Sequence, residues 1–158
     1  MRLPVTPFRR RGTVVGALCL ASLLRGVPAG AVPVTKETDA CDLLKRAEIA
    51  DVLGEDAGKP EDLDIGDSSC FWELAGADGG GLVVTLFRGR QARSEYDDAE
   101  AAYQTSAVTE VADLGKAAFS TPIGEVWVLK SKKTAFLVSG VFDAAQSEEL
   151  ARLTLERL

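Results

Sequence analysis

The stretch "SSCFWELAGADGGGLVVTLFR", residues 68–88, contains the clearest structural pattern in the chain. Two runs rich in apolar and β-branched residues, 68–75 and 82–88, flank the turn-forming "GADGGG" at 76–81, which predicts a β-hairpin. Both faces of 82–88 are mostly apolar. This pattern is typical of a central strand, and we expect a helix to cover one side of it.

The flanking sequence supplies helices and further strands. Apolar spacing predicts a helix over 42–53, broken near Lys45, and the acidic, turn-rich stretch 55–67 predicts a loop. Ser94 is a candidate N-cap for a helix over about 95–105. A short strand over 117–120, a hairpin of strands 125–131 and 134–142, and an amphipathic helix over 144–157 complete the pattern. We therefore predict an α+β, two-layer domain in the order α-β-β-α-β-β-β-α, with a mainly antiparallel sheet of about five strands and helices packed on one face.

The first 31 residues have the three parts of a secretory signal peptide. Four early arginines precede the short apolar run 13–24, and Ala29-Gly30-Ala31 forms a small-residue cleavage site. The alternative is an uncleaved N-terminal anchor, and the arginine run leaves both Sec and twin-arginine export open. Gly16 and Leu18 match a lipobox poorly, so the sequence disfavours a lipid anchor at Cys19. We predict a signal peptide over 1–31, a flexible leader over 32–40 and a single domain over 41–158.

Charge limits the class of partner. Without the five arginines of 1–31, the chain has 13 basic and 24 acidic residues, a net charge of about −11. Such a surface repels nucleic acid and anionic lipid. We therefore expect no nucleic-acid partner. No apolar run after residue 31 is long enough to span a membrane, so we expect a secreted or periplasmic protein.

Two cysteines remain after the signal peptide, Cys41 and Cys70. An even pair in an exported chain predicts a disulfide. The alternative is a reactive Cys70, but a thiolate nucleophile needs a base or a positive neighbour. The chain has no histidine, and Asp67 and Glu73 are the charged residues nearest to Cys70.

Several catalytic and metal sites are excluded by composition. Without histidine there is no Ser-His-Asp or Cys-His site and no histidine metal ligand, and the sequence has neither a P-loop nor a G-x-G-x-x-G motif. The acidic stretches 61–64 and 96–100 lack the spacing of a calcium loop. We therefore predict no enzyme activity, no metal site and no cofactor.

Five residues are candidate contacts with a ligand or partner. Arg88, Arg90 and Arg93 cluster in an otherwise acidic chain and suit a carboxylate or phosphate; the alternative is that they pair with neighbouring acids or water. Trp72 and Trp127 could line a cleft, although a tryptophan on a strand more commonly belongs to the core.

Short motifs distributed over residues 40–158 resemble a known group of exported bacterial domains. They are Cys41 before Leu43-Leu44, the "AEIADVLG" helix, Cys70 before an aromatic residue, and the "LGKAAF" turn. They resemble actinobacterial lipoproteins of the type called domain of unknown function 3558. The resemblance implies an exported α+β domain with no established activity, and it supplies no catalytic residues.

Three hypotheses for function follow. The first is an exported, non-catalytic module of the cell envelope that binds a protein, a polymer or a small ligand. The second is a small hydrolase that uses carboxylates alone, which requires two acids converging in a cleft. The third is a disulfide-tied structural or inhibitory protein. The absence of catalytic motifs favours the first.

Overall fold

The structure, a computed structural model, describes residues 38–76, 80–103, 108–140 and 142–158. The predicted signal peptide, Cys19 and residues 32–37 of the predicted leader lie outside these ranges. The described part of the chain contains a 3₁₀ turn, three α-helices and seven strands. In chain order these are the 3₁₀ turn Ala40–Asp42, α1 Arg46–Leu53, β1 Glu61–Leu63, β2 Ser68–Glu73, β3 Gly81–Arg88, α2 Gln91–Tyr103, β4 Thr109–Glu110, β5 Ala117–Ser120, β6 Val126–Ser131, β7 Thr134–Gly140 and α3 Ala144–Arg157.

The seven strands form one antiparallel sheet in the order β1-β2-β3-β7-β6-β5-β4. The predicted α+β class and the mainly antiparallel sheet are confirmed. The predicted number of strands and the order of elements are wrong, because β1 lies in the predicted loop 55–67 and β4 lies where we predicted no strand. Both strands are short, mostly polar and mostly exposed, so neither has the apolar alternation that identifies a strand in a sequence.

The predicted hairpins form the middle of the sheet. β2 pairs with β3 from Ser68↔Leu86 to Glu73↔Gly81, and β6 pairs with β7 across a short turn. β3 then pairs with β7 along its length, which makes β3 the central strand that its apolar faces predict.

The helices begin and end at recognisable signals. The predicted break near Lys45 is present: Lys45 is the N-cap of α1, and Gly54 ends that helix in the left-handed conformation at φ 74°. α2 begins at Gln91, four residues before the predicted start, so Ser94 is not its cap; the Ser94 hydroxyl donates to the Gln91 carbonyl within the first turn. No helix in the described ranges is long and apolar enough to cross a membrane.

The main core lies on one face of the sheet. The 3₁₀ turn, α1 and α3 cover this face, and Ile49 and Leu150 contribute fully buried side chains from the two helices. The strands contribute alternate residues, as the pleat requires. These are Cys70 and Trp72 of β2, Leu82, Val84 and Leu86 of β3, Ala118 of β5, Val126 and Val128 of β6, and Phe136 and Val138 of β7.

α2 covers the opposite face, which corrects the prediction that all helices pack on one side. Ala92, Tyr96 and Ala99 of α2 are buried against the residues between those of the main core, among them Phe119 and Leu129. β3 is apolar on both faces because helices pack on both faces of this sheet.

Candidate functional site

A cleft of about 480 Å³ opens between the start of the described chain and the turn that joins β1 to β2. Its volume is within the range typical of ligand sites in proteins. We call it the acidic cleft, because four carboxylates and one guanidinium line it. Its residues are Thr38, Asp39, Asp62, Leu63, Asp64, Ile65, Gly66, Asp67, Ser68 and Arg88.

The first wall of the cleft is Thr38 and Asp39, which the neighbouring disulfide holds against the sheet. Cys41 and Cys70 are bonded, with their Cα atoms 5.0 Å apart, as the sequence predicts. The Asp39 carboxylate accepts a hydrogen bond from the backbone N–H of Cys41 at 2.9 Å, and the Ser68 hydroxyl accepts one from the N–H of Ala40 at 2.9 Å. Ala40 itself is fully buried. This wall is therefore an ordered part of the domain.

The second wall is the turn 64–67, which a hydrogen bond from Ser69 and packing on β3 hold in place. The buried Ser69 hydroxyl donates to the Ile65 carbonyl at 2.7 Å and lies 2.9 Å from the Thr85 hydroxyl of β3. Gly66 has φ 63°, and a β-carbon there would lie 2.9 Å from the Thr85 methyl group. Glycine therefore allows the turn to pack directly on β3.

Arg88 joins the two walls. Its backbone N–H donates to the Asp67 carboxylate, and its guanidinium donates to the Thr38 carbonyl. Of the three arginines that the sequence singles out, Arg88 is the one that lines the cleft. Its guanidinium is engaged with a backbone carbonyl from the opposite wall.

The remaining carboxylates face solvent. Asp62 and Asp64 are exposed, and neither side chain makes a hydrogen bond or an ion pair with the residues that the structure describes. Facing one guanidinium, the four carboxylates give the cleft an excess of negative charge. No group of three potential metal ligands in the described ranges is arranged to hold a metal ion.

The other candidate residues lie elsewhere. Arg90 is exposed in the turn after β3. Arg93 lies on α2, where it pairs with Asp97 at 2.7 Å one helical turn away, so the structure does not bring the three arginines together.

Both tryptophans are enclosed by other side chains. Trp72 is fully buried in the main core. Trp127 is half-buried, and its ring stacks between Phe87, at a centroid distance of 5.6 Å, and Phe119, at 6.5 Å. Neither indole N–H has a hydrogen-bond partner among the described residues. Trp72 therefore has no surface to offer a partner, whereas part of Trp127 is exposed.

Sequence reasoning did not predict Asp39, Asp62, Asp64 and Asp67 as one site. Asp39 is more than twenty residues from the others in the chain. The predicted disulfide was the signal that could have joined them, because it places the residues before Cys41 beside those before Cys70. No protein-family model, no curated protein and no solved structure matches this chain.

Proposed function

We propose that the protein is an exported, non-catalytic binding module of the cell envelope whose site is the acidic cleft, and that it recognises a positively charged group on its partner. The observation that carries the proposal is the charge of the cleft, where Asp39, Asp62, Asp64 and Asp67 face one arginine. The walls are held by a disulfide and by hydrogen bonds from Arg88 and Ser69, so ordering them on binding costs little free energy.

Exposure of the carboxylates supports binding over carboxylate catalysis. Asp62, Asp64 and Asp67 are exposed to solvent. A general acid of this kind needs a carboxyl that is desolvated so that it stays protonated near neutral pH. Exposed carboxylates lack this desolvation, and their negative charge attracts cations.

Export is supported by the signal-peptide pattern of 1–31 and by the disulfide, which forms and persists in oxidising compartments. The resemblance of residues 40–158 to exported actinobacterial domains stays a prediction, because no protein-family model matches this chain.

The test is a pair of double variants that remove the same charge from different places. Asp62→Asn with Asp64→Asn removes two exposed carboxylates from the cleft. Glu95→Gln with Asp98→Asn removes two exposed carboxylates from α2, no residue of which lines the cleft. Binding of a fluorescein-labelled hexalysine peptide is measured by anisotropy at two salt concentrations.

We expect the cleft variant to bind hexalysine roughly fivefold to tenfold more weakly than wild type, since each exposed ion pair contributes up to about 1 kcal/mol. The α2 variant should change the dissociation constant less than about twofold, and added salt should weaken wild-type binding. Equal losses in the two variants would show that the peptide senses net charge alone, which would refute the cleft as the site.

A further inference from the structure

The basic residues that follow residue 31 are unevenly distributed along the chain. Segments 88–93, "RGRQAR", and 130–134, "KSKKT", together contain six basic residues and no acidic one. The rest of the chain after residue 31 holds the other seven basic residues and all 24 acidic residues. A chain with a large excess of acid therefore contains two short stretches of strong positive charge.

The sheet brings these two segments together at one end. The turns that follow β3 and β6 lie side by side, because the Gly89 N–H donates to the Lys133 carbonyl at 3.0 Å. Lys116, directly before β5, lies at the same end, because its N–H donates to the Leu129 carbonyl of β6 at 2.8 Å. We call this surface the basic end. Its cations are Arg90, Lys116, Lys130, Lys132 and Lys133.

The five cations of the basic end are not neutralised by neighbouring acids. All are exposed except Lys130, which is half-buried. In the part of the chain that the structure describes, none of the five side chains makes an ion pair or a hydrogen bond. Arg88 and Arg93 differ from them, since Arg88 donates to the Thr38 carbonyl and Arg93 pairs with Asp97. The five charges are therefore free to meet a partner.

The first turn of α2 adds to the positive potential of this surface. α2 begins at Gln91, directly after Arg90, and its first turn contains no acidic residue. The first turn of a helix has backbone N–H groups without partners in the helix, and it carries a partial positive charge. Acidic side chains are favourable at such a position, whereas cations flank it here. An anion at the basic end is thus attracted by side chains and by the helix dipole.

The basic end is wider than a single anion. The strand order β3-β7-β6-β5 places its cations at or just beyond the ends of four adjacent strands. Because neighbouring strands lie about 4.8 Å apart, the row from Arg90 to Lys116 extends over roughly 14 Å. Several phosphate groups of one chain can lie along such a row. A flat anionic membrane would also meet the Asp67 carboxylate, which accepts from the Arg88 N–H beside the row.

We propose that the basic end binds a flexible polymer of phosphate groups. The phosphates lie along the row of five cations, and the polymer follows these cations without approaching the acids of the remaining surface. The contacts are ionic and exposed to solvent, so the affinity falls as salt is added. This surface shares none of its five cations with the acidic cleft.

The experiment measures the binding of inorganic polyphosphate to the purified protein by calorimetry at two salt concentrations. Lys132→Gln with Lys133→Gln removes two charges from the basic end. The matched control, Lys45→Gln with Lys59→Gln, removes two exposed lysine charges from elsewhere. Lys132→Arg with Lys133→Arg keeps the charge of the basic end. Orthophosphate and phosphatidylglycerol vesicles are titrated as other forms of the anion.

We expect the glutamine pair at the basic end to weaken polyphosphate binding about fivefold to tenfold, since two ionic contacts are lost. The same pair should also reduce the slope of log affinity against log salt, because fewer counterions are released on binding. The control pair should change the dissociation constant less than about twofold, since salt screens distant charges. The arginine pair should bind polyphosphate as wild type does.

Three results would overturn this inference. Equal losses in the two glutamine variants would show that polyphosphate senses net charge alone. Binding of the vesicles without binding of polyphosphate would assign the basic end to a membrane surface. Orthophosphate binding as tight as that of polyphosphate would show a site for one anion, without a role for the row. None of these results bears on the acidic cleft, whose carboxylates are unchanged in every variant.

Discussion

Reducing the Cys41–Cys70 disulfide tests how the domain is held together. The bond joins residues 29 positions apart, the first in the 3₁₀ turn and the second in β2. In the loop-entropy relation, a closed loop of this length destabilises the unfolded chain by about 3.5 kcal/mol. In the disulfide-bonded structure Ala40 and Leu43 are buried and the Ala40 N–H donates to the Ser68 hydroxyl. We expect these contacts to keep the reduced protein folded.

The assay is urea unfolding followed by tryptophan fluorescence, with and without a phosphine reductant. With a urea slope of about 2 kcal/mol/M, a loss of about 3.5 kcal/mol lowers the midpoint by about 1.5 to 2 M. The Cys41→Ala, Cys70→Ala double variant is the control, since its midpoint should not respond to the phosphine. A wild-type shift smaller than about 0.5 M would refute the reasoning, because it would show that the bond barely restricts the unfolded chain.

Two further predictions concern pH. The Arg157 guanidinium donates to the Glu48 carboxylate and lowers the pKa of that carboxyl below its usual 4.5. The stability that this ion pair contributes is therefore present above pH 4.5 and is lost as pH falls through the lowered pKa. In acid unfolding, Arg157→Ala should not show this loss of stability, and identical acid profiles for variant and wild type would contradict the assignment. Burial, followed by the nearby Glu100 charge, raises the pKa of Tyr96 from 10.0 to about 12. The stability that depends on the neutral phenol is present below pH 10 and is lost as pH rises from 10 towards 12. Urea midpoints should therefore fall less steeply in Tyr96→Phe than in wild type over this range, and an equal fall would contradict the prediction.

The elements that sequence analysis found are those with a strong apolar pattern. β3, with apolar side chains on both faces, and α3, with Asp143 as its N-cap, both lie where the pattern predicts them. β1 was missed because its strand character comes from pairing with β2, Glu61 to Phe71 and Leu63 to Ser69, and not from its own residues.

The position of α2 could not be deduced from its sequence. Tyr96 and Ala99 mark its apolar stripe, but a stripe does not say which face of a sheet it will cover. β3 offers apolar residues on both faces, so the pattern allows either side. The structure places α2 opposite α1 and α3 because Phe119 and Leu129, on the strands beyond β7, complete an apolar surface there.

The candidate site was predicted only in part. The sequence singled out Arg88 as a cation in an acidic chain. It gave no sign that the Arg88 guanidinium donates a hydrogen bond to the carbonyl of Thr38, which is distant in the chain. Asp62, Asp64 and Asp67 fall in the predicted loop 55–67 and Asp39 in the predicted leader 32–40. The sequence did not join them because residues distant in the chain form the cleft. Ile65 gave no signal of its own, since one isoleucine in a loop has no periodicity.

The measurement that tests the central claim most directly is a map of backbone amide chemical shifts in the ¹⁵N-labelled protein, recorded while hexalysine is added. We expect the perturbed amides to concentrate at 62–68, with Asp39 and Arg88, and the amides around Trp127 to stay unchanged. Perturbations centred on the α2 face of the sheet, or spread evenly over the surface, would contradict the assignment of the acidic cleft as the binding site.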